Sequence, residues 1–134
     1  MKQEALRKAV ALAARLGHAF VVTAGAKGRP HAIIASRAAL TPENHLAVAG
    51  WLCPTTIASL QANPYIGVVV WDAVEDIGYQ ILGEVEEMKD LGILNRYVPE
   101  MEGKISVPQV ERQLVVHVDE IFEFSQASHS DVEE

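Results

Sequence analysis

The sequence contains a single cysteine, Cys53, among 134 residues. One cysteine excludes a framework of internal disulfides and cannot form a cysteine-rich zinc site. Long apolar runs are missing as well, since no stretch approaches the roughly 18 residues of a membrane-spanning helix. The N-terminus also lacks the continuous apolar core of a signal peptide. These absences predict a soluble, cytoplasmic protein with no membrane partner.

Basic residues are scarce after residue 40. Residues 1–40 carry seven Lys and Arg against one acidic residue, whereas residues 41–134 carry four against seventeen. The formal net charge of −7 argues against general nucleic-acid binding, which depends on neutralising phosphates. An anionic small ligand is instead expected at surfaces built by the first third of the chain.

The length fits one domain, and the apolar residues, 49% of the chain, are enough to build a core. A single domain is predicted over residues 1–124, followed by a polar acidic tail over 125–134. Six short strands, with glycines inside the longest, favour a mainly β fold: a small closed antiparallel barrel with flanking helices. Apolar periodicity places helices at 2–16, 52–64 and 88–98, strands at 19–23, 31–36, 46–51, 65–71, 77–87 and 113–124, and a loop at 99–111.

The second predicted helix has a clear start and end. Pro54, Thr55 and Thr56 suit its first turn, where proline lacks only a donor that a helix start can spare and threonine hydroxyls can accept from free N–H groups. Asn63 and Pro64 end it, because the residue before proline disfavours the helical conformation. Two free threonine hydroxyls on a helix N-terminus, just after a strand, predict a phosphate-binding site.

The order of elements and three short segments resemble the pyridoxamine-5′-phosphate-oxidase-like FMN-binding split barrels. The segments are KGRPH at 27–31, LQANP at 60–64 and GYQILGEVE at 78–86, and the likeness covers residues 5–124. The resemblance implies a six-stranded antiparallel split β-barrel that works as a homodimer, with two FMN sites at the subunit interface.

The resemblance also implies which residues hold the flavin. Members of this family use the strand after the glycine-rich turn, the end of the next strand, and the turn into the following helix. Backbone groups of a strand can serve the hydrogen-bonding edge of the flavin ring, small residues allow close approach, and a helix N-terminus receives phosphate. Carried over by position, the cofactor-binding residues are His31, Ala32, Ile33, Ile34, Ser36, Ala49, Gly50, Trp51, Thr55 and Thr56.

The sequence departs from the family in two places. Many relatives carry an Arg or Lys where this chain has residues 53–56 (CPTT); the nearest basic residues here are Lys27, Arg29 and Arg37. The chain also lacks the Arg- and His-bearing C-terminal segment by which pyridoxine phosphate oxidases grip their substrate, which excludes that specific enzyme.

Two functional hypotheses follow. The first is an FMN-dependent oxidoreductase, either a flavin reductase or a small electron carrier, because no side chain is an evident general acid or base. Its redox partner, a small molecule or a protein, is not identified by the sequence. The second is a split-barrel binding module without a flavin, or with a different cofactor such as the deazaflavin F420 or haem; the missing basic residue beside Thr55 and Thr56 supports it.

Several residues near the predicted site have simpler interpretations. Trp51 and Trp71 either contact the flavin ring or anchor the dimer together with Phe124. Cys53 is interpreted as an inert thiol, since no second cysteine is present. His31 either bonds the flavin or is satisfied by backbone. The remaining histidines share no ligand spacing with each other or with a carboxylate, so no metal site is predicted.

Overall fold

The computed structural model describes residues 2–52, 54–94 and 109–127. These residues form two helices and seven strands. In chain order the elements are α1 (Lys2–Leu16), β1 (Ala19–Thr23), β2 (His31–Ala35), β3 (Arg37–Leu40), β4 (Leu46–Leu52), α2 (Pro54–Ala62), β5 (Tyr65–Asp72), β6 (Ile77–Leu94) and β7 (Gln109–Glu123).

All seven strands belong to one antiparallel sheet in the order β2-β1-β5-β6-β7-β4-β3. The two edge strands, β2 and β3, are consecutive in the chain and separated only by Ser36. Ser36 donates its backbone N–H to the carbonyl of Ala49 at 3.0 Å. The sheet therefore curls until its edges meet, and the prediction of a mainly β split barrel is confirmed.

The number of strands differs by one from the predicted six. Residues 31–36 are predicted as one strand, but the chain bends at Ser36 and residues 37–40 form the additional strand β3. At this bend the chain stops pairing with β1 and starts pairing with β4. The bend forms a corner of the barrel, where a strand changes its partner.

Helix α1 closes the barrel core. Its apolar stripe buries Ala5, Leu6, Ala9, Leu12 and Ala13, and it packs against β3, β5, β6 and β7. The helix predicted over 2–16 is confirmed. Neither α1 nor any other helix in the described ranges is long and apolar enough to cross a membrane. The strand residues that face α1 and one another inside the barrel include Val21, Leu46, Val48, Val68, Val70, Ile81, Leu114, Val116 and Ile121.

The predicted helix over 88–98 is wrong for its described part. Residues 88–94 continue β6, which is 18 residues long. They pair with β7 as far as Gln109, which lies opposite Leu94. Residues 109–111, predicted as loop, likewise belong to β7, while 95–108 lie outside the described residues. Long-range pairing overrides the local helical spacing, and three register shifts let the long ladder bend.

One of these register shifts lies between Leu82 and Gly83. A Cβ atom at Gly83 would lie 2.2 Å from the carbonyl oxygen of His117. Only glycine allows β6 and β7 to approach this closely. Gly83 therefore lies at a bulge of the barrel.

The turn between β5 and β6 connects α1 and the C-terminal segment to the sheet. Arg15 Nη2 donates to Asp72 Oδ2 at 2.8 Å, and the Val74 N–H donates to Asp72 Oδ1 at 2.9 Å. Asp76, at the end of the same turn, accepts from the Trp71 indole at 2.9 Å and from the backbone N–H of Gln126 at 2.7 Å. The start of the predicted tail is thus held against this turn.

The buried Asp72 makes stability depend on pH. The hydrogen bonds from Arg15 and from the Val74 backbone hold the pKa of the Asp72 carboxyl below its usual range. The unfolded chain therefore takes up this proton at a higher pH than the folded chain. The stabilisation is complete above the ordinary aspartate pKa of about 4, and it is lost as the pH falls through the lower folded value.

We expect Arg15→Gln to lower the free energy of unfolding at pH 7, with the deficit shrinking as the pH falls below about 4. Denaturant titrations at several pH values measure this convergence. Lys8→Gln is the control, because Lys8 and Glu4 form an exposed pair, with 61% and 65% of their side chains accessible, and such pairs contribute little. A deficit that stays constant down to pH 2.5 would contradict the assignment.

Candidate functional site

A glycine-rich turn between β1 and β2 packs against α2. Gly25 and Gly28 adopt positive φ angles of 69° and 72°, which glycine reaches without strain. Asn63 Nδ2 donates to the Gly25 carbonyl at 3.4 Å, and Asn63 Oδ1 accepts from the Tyr65 N–H at 3.1 Å. Two of the segments used for the family resemblance, KGRPH and LQANP, therefore lie together, with Asn63 anchoring the turn just before the first of them.

A groove of about 550 Å³ lies between this turn and the N-terminal half of α2. Its size falls within the range of small-molecule sites, roughly 300–1,000 Å³. Helix α2 begins at Pro54, as predicted, so its first backbone N–H groups and the positive end of its dipole lie beside the groove. The groove is lined by Ala24, Gly25, Ala26, Lys27, Arg29, Pro30, His31, Thr55 and Ser59.

Lys27 and Arg29 place two exposed cations on this groove. Within the described part of the chain, neither side chain forms an ion pair or a hydrogen bond. Two basic residues of the facing turn thus lie across the groove from α2, whereas positions 53–56 carry none. From the sequence, Lys27, Arg29 and Arg37 were equal candidates for the basic residue near α2. Only the fold of the turn shows that Lys27 and Arg29 lie beside this helix.

The two threonines of α2 have different environments. Thr55 is exposed and lines the groove, whereas Thr56 is 0% exposed. The expectation of two free hydroxyls therefore holds for Thr55 only. Ser59, one turn further along α2, also lines the groove and lies 3.3 Å from where a Gly25 Cβ would be.

The other predicted cofactor-binding residues lie along β2 and at the point where it meets β4. His31 is half-buried and lines the groove, while Ala32 and Ile34 point outward from β2 and Ile33 is partly buried in the core. Ser36 Oγ donates to the Ala49 carbonyl at 3.2 Å.

Gly50 brings β4 against β2. A Cβ atom at Gly50 would lie 3.2 Å from Ala35 Cα, so the absence of a side chain lets the two strands close the barrel. Trp51 follows in β4, and its side chain, like Cys53, lies outside the described residues. The structure thus brings His31 and Thr55 to one groove, and it places Ser36, Ala49 and Gly50 at the barrel seam.

An apolar outer face extends from β2 across β1 to β5. Ile34 is 61% exposed and pairs with Phe20, which is 42% exposed and pairs in turn with Val69. A second groove, about 560 Å³ in volume, continues this face and includes Val22, Tyr65, Val69 and Leu82. Trp71, one of the predicted dimer anchors, is partly buried, and Phe124 is 37% exposed.

The groove beside α2 fits the phosphate end of a flavin mononucleotide. Two cations, a threonine hydroxyl and a helix N-terminus converge on it, and each of these groups stabilises a bound phosphate. At its His31 end, β2 borders the same groove and is an edge strand of the sheet. One edge of its backbone therefore faces away from β1, which suits the polar edge of a planar ring.

No protein-family model matches the sequence, and no curated protein matches it. Solved structures do match the fold. The HupZ protein of Group A Streptococcus is 20% identical over 92% of this chain and 97% of that chain, with a TM-score of 0.63.

Two further solved structures are of proteins whose names refer to FMN or to F420. A pyridoxamine 5′-phosphate oxidase-related, FMN-binding protein from Nostoc punctiforme is 12% identical over 91% of this chain and 83% of that chain, with a TM-score of 0.64. An F420 reductase is 16% identical over 78% of this chain and 87% of that chain, with a TM-score of 0.53. Together with the topology, these structural similarities show that the chain has the split-barrel fold of the pyridoxamine 5′-phosphate oxidase-like proteins.

Proposed function

We propose that this protein binds FMN and acts as an oxidoreductase, either a flavin reductase or a small electron carrier, working as a homodimer in the cytoplasm. The observation that carries the proposal is the convergence of Lys27, Arg29 and Thr55 on one groove at the N-terminus of α2. The solved structure of an FMN-binding protein with the same fold supports it.

In this proposal the residues of the groove hold the phosphate. Arg29 and Lys27 neutralise its charge from the turn, and Thr55 donates from α2. The β2 edge from His31 to Ile34 orients the ring through its backbone groups. The bound flavin supplies the electron transfer, and the protein supplies position and electrostatics.

The side chains around the groove favour electron transfer over substrate-specific catalysis. Lys27 and Arg29 are cations suited to holding an anion, and the rest of the described lining is mostly small or apolar, apart from His31, Thr55 and Ser59. No carboxylate lines the groove within the described residues, so general acid–base work would fall to His31 or Lys27, and Lys27 holds the phosphate in this proposal. A reductase or electron carrier needs only access of its partner to the ring.

A second copy of this chain is the proposed occupant of the apolar outer face. Ile34, Phe20 and Val69 form a continuous row across three strands, and exposed apolar patches of this kind mark association surfaces. The row begins on β2, the strand proposed to orient the ring. A two-fold contact there would cover the ring from the partner side and complete the site.

The deazaflavin F420 is the alternative cofactor, because an F420 reductase shares the fold. The phosphate contacts proposed here would serve either ligand. Reconstitution distinguishes them: the absorption spectrum and the mass of the pigment that the purified protein retains differ between FMN and F420. Retention of haem would favour the remaining alternative, whereas a protein that retains no pigment and ignores added cofactor would be a binding module.

We expect the protein to bind FMN at least tenfold more tightly than riboflavin, which lacks the phosphate. A hydrogen bond to a charged group contributes about 1.5–3 kcal/mol, and roughly 1.4 kcal/mol corresponds to a factor of ten. Flavin fluorescence titrations measure both affinities. In the double variant Lys27→Gln/Arg29→Gln the preference should fall at least tenfold, and raising the salt concentration should reduce it in the parent protein.

The matched control is Arg7→Gln/Lys8→Gln, which removes the same charge from exposed positions of α1 and should keep the FMN preference. Thr55→Ala should weaken FMN binding about tenfold and leave riboflavin binding unchanged. Gln61→Ala, exposed at the other end of α2, is its control. Equal affinities for FMN and riboflavin in the parent protein would show that this groove is not the phosphate site.

For the dimer, we expect Ile34→Glu to weaken association at least a hundredfold. Each copy would lose the burial of an isoleucine, about 1.5–3 kcal/mol, and a two-fold interface counts this loss twice. Light scattering across a dilution series measures the masses. Val74→Glu makes the same change at a residue that is 94% exposed on a turn and should stay dimeric; a monomeric parent protein at micromolar concentration would contradict the proposal.

A further inference from the structure

Two histidines and a glutamate meet on the surface of the sheet: Glu86 on β6, His117 on β7, and His45 just before β4. β7 lies between β4 and β6, and His117 of β7 pairs with Glu84 of β6. On the other side Leu46 pairs with Val116, so His45 lies one step further along, opposite His117. Sequence spacing does not predict this group, because its members are 31 to 72 positions apart and meet only through the strand register.

The polar atoms of the three side chains face one another. His45 Nε2 lies 3.4 Å from Glu86 Oε2, His117 Nδ1 lies 3.7 Å from Glu86 Oε1, and the two ring nitrogens are 3.5 Å apart. With zinc–ligand distances of about 2.0–2.1 Å, two ligands of a tetrahedral site are separated by roughly 3.3–3.4 Å. The separation of the two ring nitrogens is close to one edge of such a tetrahedron, and each imidazole has an oxygen of the same carboxylate within 3.7 Å.

Backbone structure holds two of these side chains in place. The Thr41 N–H donates to the His45 carbonyl at 2.9 Å, and the His45 N–H donates to Thr41 Oγ1 at 3.0 Å, so a closed turn fixes His45. Glu86 is the extra residue of the register shift between Val85 and Glu87. Bulges redirect side chains, and this one aims Glu86 between the two imidazoles.

A second carboxylate lies beside the outer nitrogen of His117. Asp119 Oδ1 is 3.6 Å from His117 Nε2, which is within ion-pair range but longer than a hydrogen bond. Around protein-bound zinc a carboxylate commonly accepts from the outer nitrogen of a ligating histidine, and Asp119 is the carboxylate at that position here.

We propose that His45, Glu86 and His117 bind a divalent transition-metal ion of the zinc class. Two imidazole nitrogens and one carboxylate suit such an ion better than calcium or magnesium, which prefer oxygen ligands. A groove of about 690 Å³ beside the cluster carries Glu43, Glu86 and Glu87, and these carboxylates attract a cation. Three protein ligands leave a position open to water or an added ligand.

The metal site is separate from the proposed flavin site. His45 precedes β4 and α2 follows it, so the two sites lie at opposite ends of a seven-residue strand, on the order of 20 Å apart. Metal binding is therefore independent of FMN binding, and both can be measured on the same variants.

The test is titration of the untagged, chelator-treated full chain with ZnCl2 by isothermal calorimetry. We expect one equivalent of Zn²⁺ per chain, not displaced by millimolar Mg²⁺, and a visible absorption spectrum for Co²⁺ typical of nitrogen and oxygen ligands. Glu86→Gln and His117→Ala should each weaken Zn²⁺ binding at least tenfold and leave FMN binding unchanged. Circular dichroism checks that each variant is folded.

The substitutions Glu75→Gln and His18→Ala are the matched controls, because each removes the same kind of group outside the cluster and its groove and should leave Zn²⁺ binding within about threefold. The Co²⁺ spectrum of the parent protein tests ligation even if one variant fails to fold. Absence of saturable Zn²⁺ binding, or a Zn²⁺ isotherm that survives both Glu86→Gln and His117→Ala, would overturn the proposal and leave the cluster as a set of surface ion pairs.

Discussion

The chain passes from one edge of its sheet to the other through a single residue, Ser36. A flat sheet of seven strands cannot satisfy this connection, so the sheet must close on itself. The Ser36–Ala49 hydrogen bonds and the contact of Gly50 with Ala35 form the seam of the closed barrel. Closure sets the position of β4, and through it the position of α2 beside the turn that carries Lys27 and Arg29. The candidate phosphate groove is therefore a product of barrel closure.

The uneven distribution of charge along the sequence produces two separate charged regions in the folded protein. The turn beside α2 presents Lys27 and Arg29, whereas the other end of β4 lies among Glu43, Glu86 and Glu87, with Lys89 as a counter-charge. A single strand thus spans a cationic groove and an anionic one. The same charge distribution that draws an anion to the first groove draws a cation to the second.

Local signals were sufficient for α1, the β1–β2 hairpin and the ends of α2, because caps, turn glycines and apolar periodicity lie within a few residues of the structure they determine. They failed at residues 88–94, where pairing with β7 decided the conformation. The residues of the candidate site likewise include some that local signals predict and some that only the fold reveals. Thr55 was identified from the helix start, but Thr56 was buried by packing. Lys27, Arg29 and the histidine cluster depend on register and turn geometry, which a single sequence does not contain.

The pairing of β4 with β7 has a consequence for how the protein matures. β4 is complete at residue 52, yet its partner on one side begins at residue 109. Contacts between such distant segments form late, because the intervening chain must first lose its freedom. During synthesis the hairpin of β1 and β2 can form early, while β4 has only β3 beside it until β7 emerges. Both proposed sites adjoin β4, so each should become competent to bind its ligand only in the last step of folding.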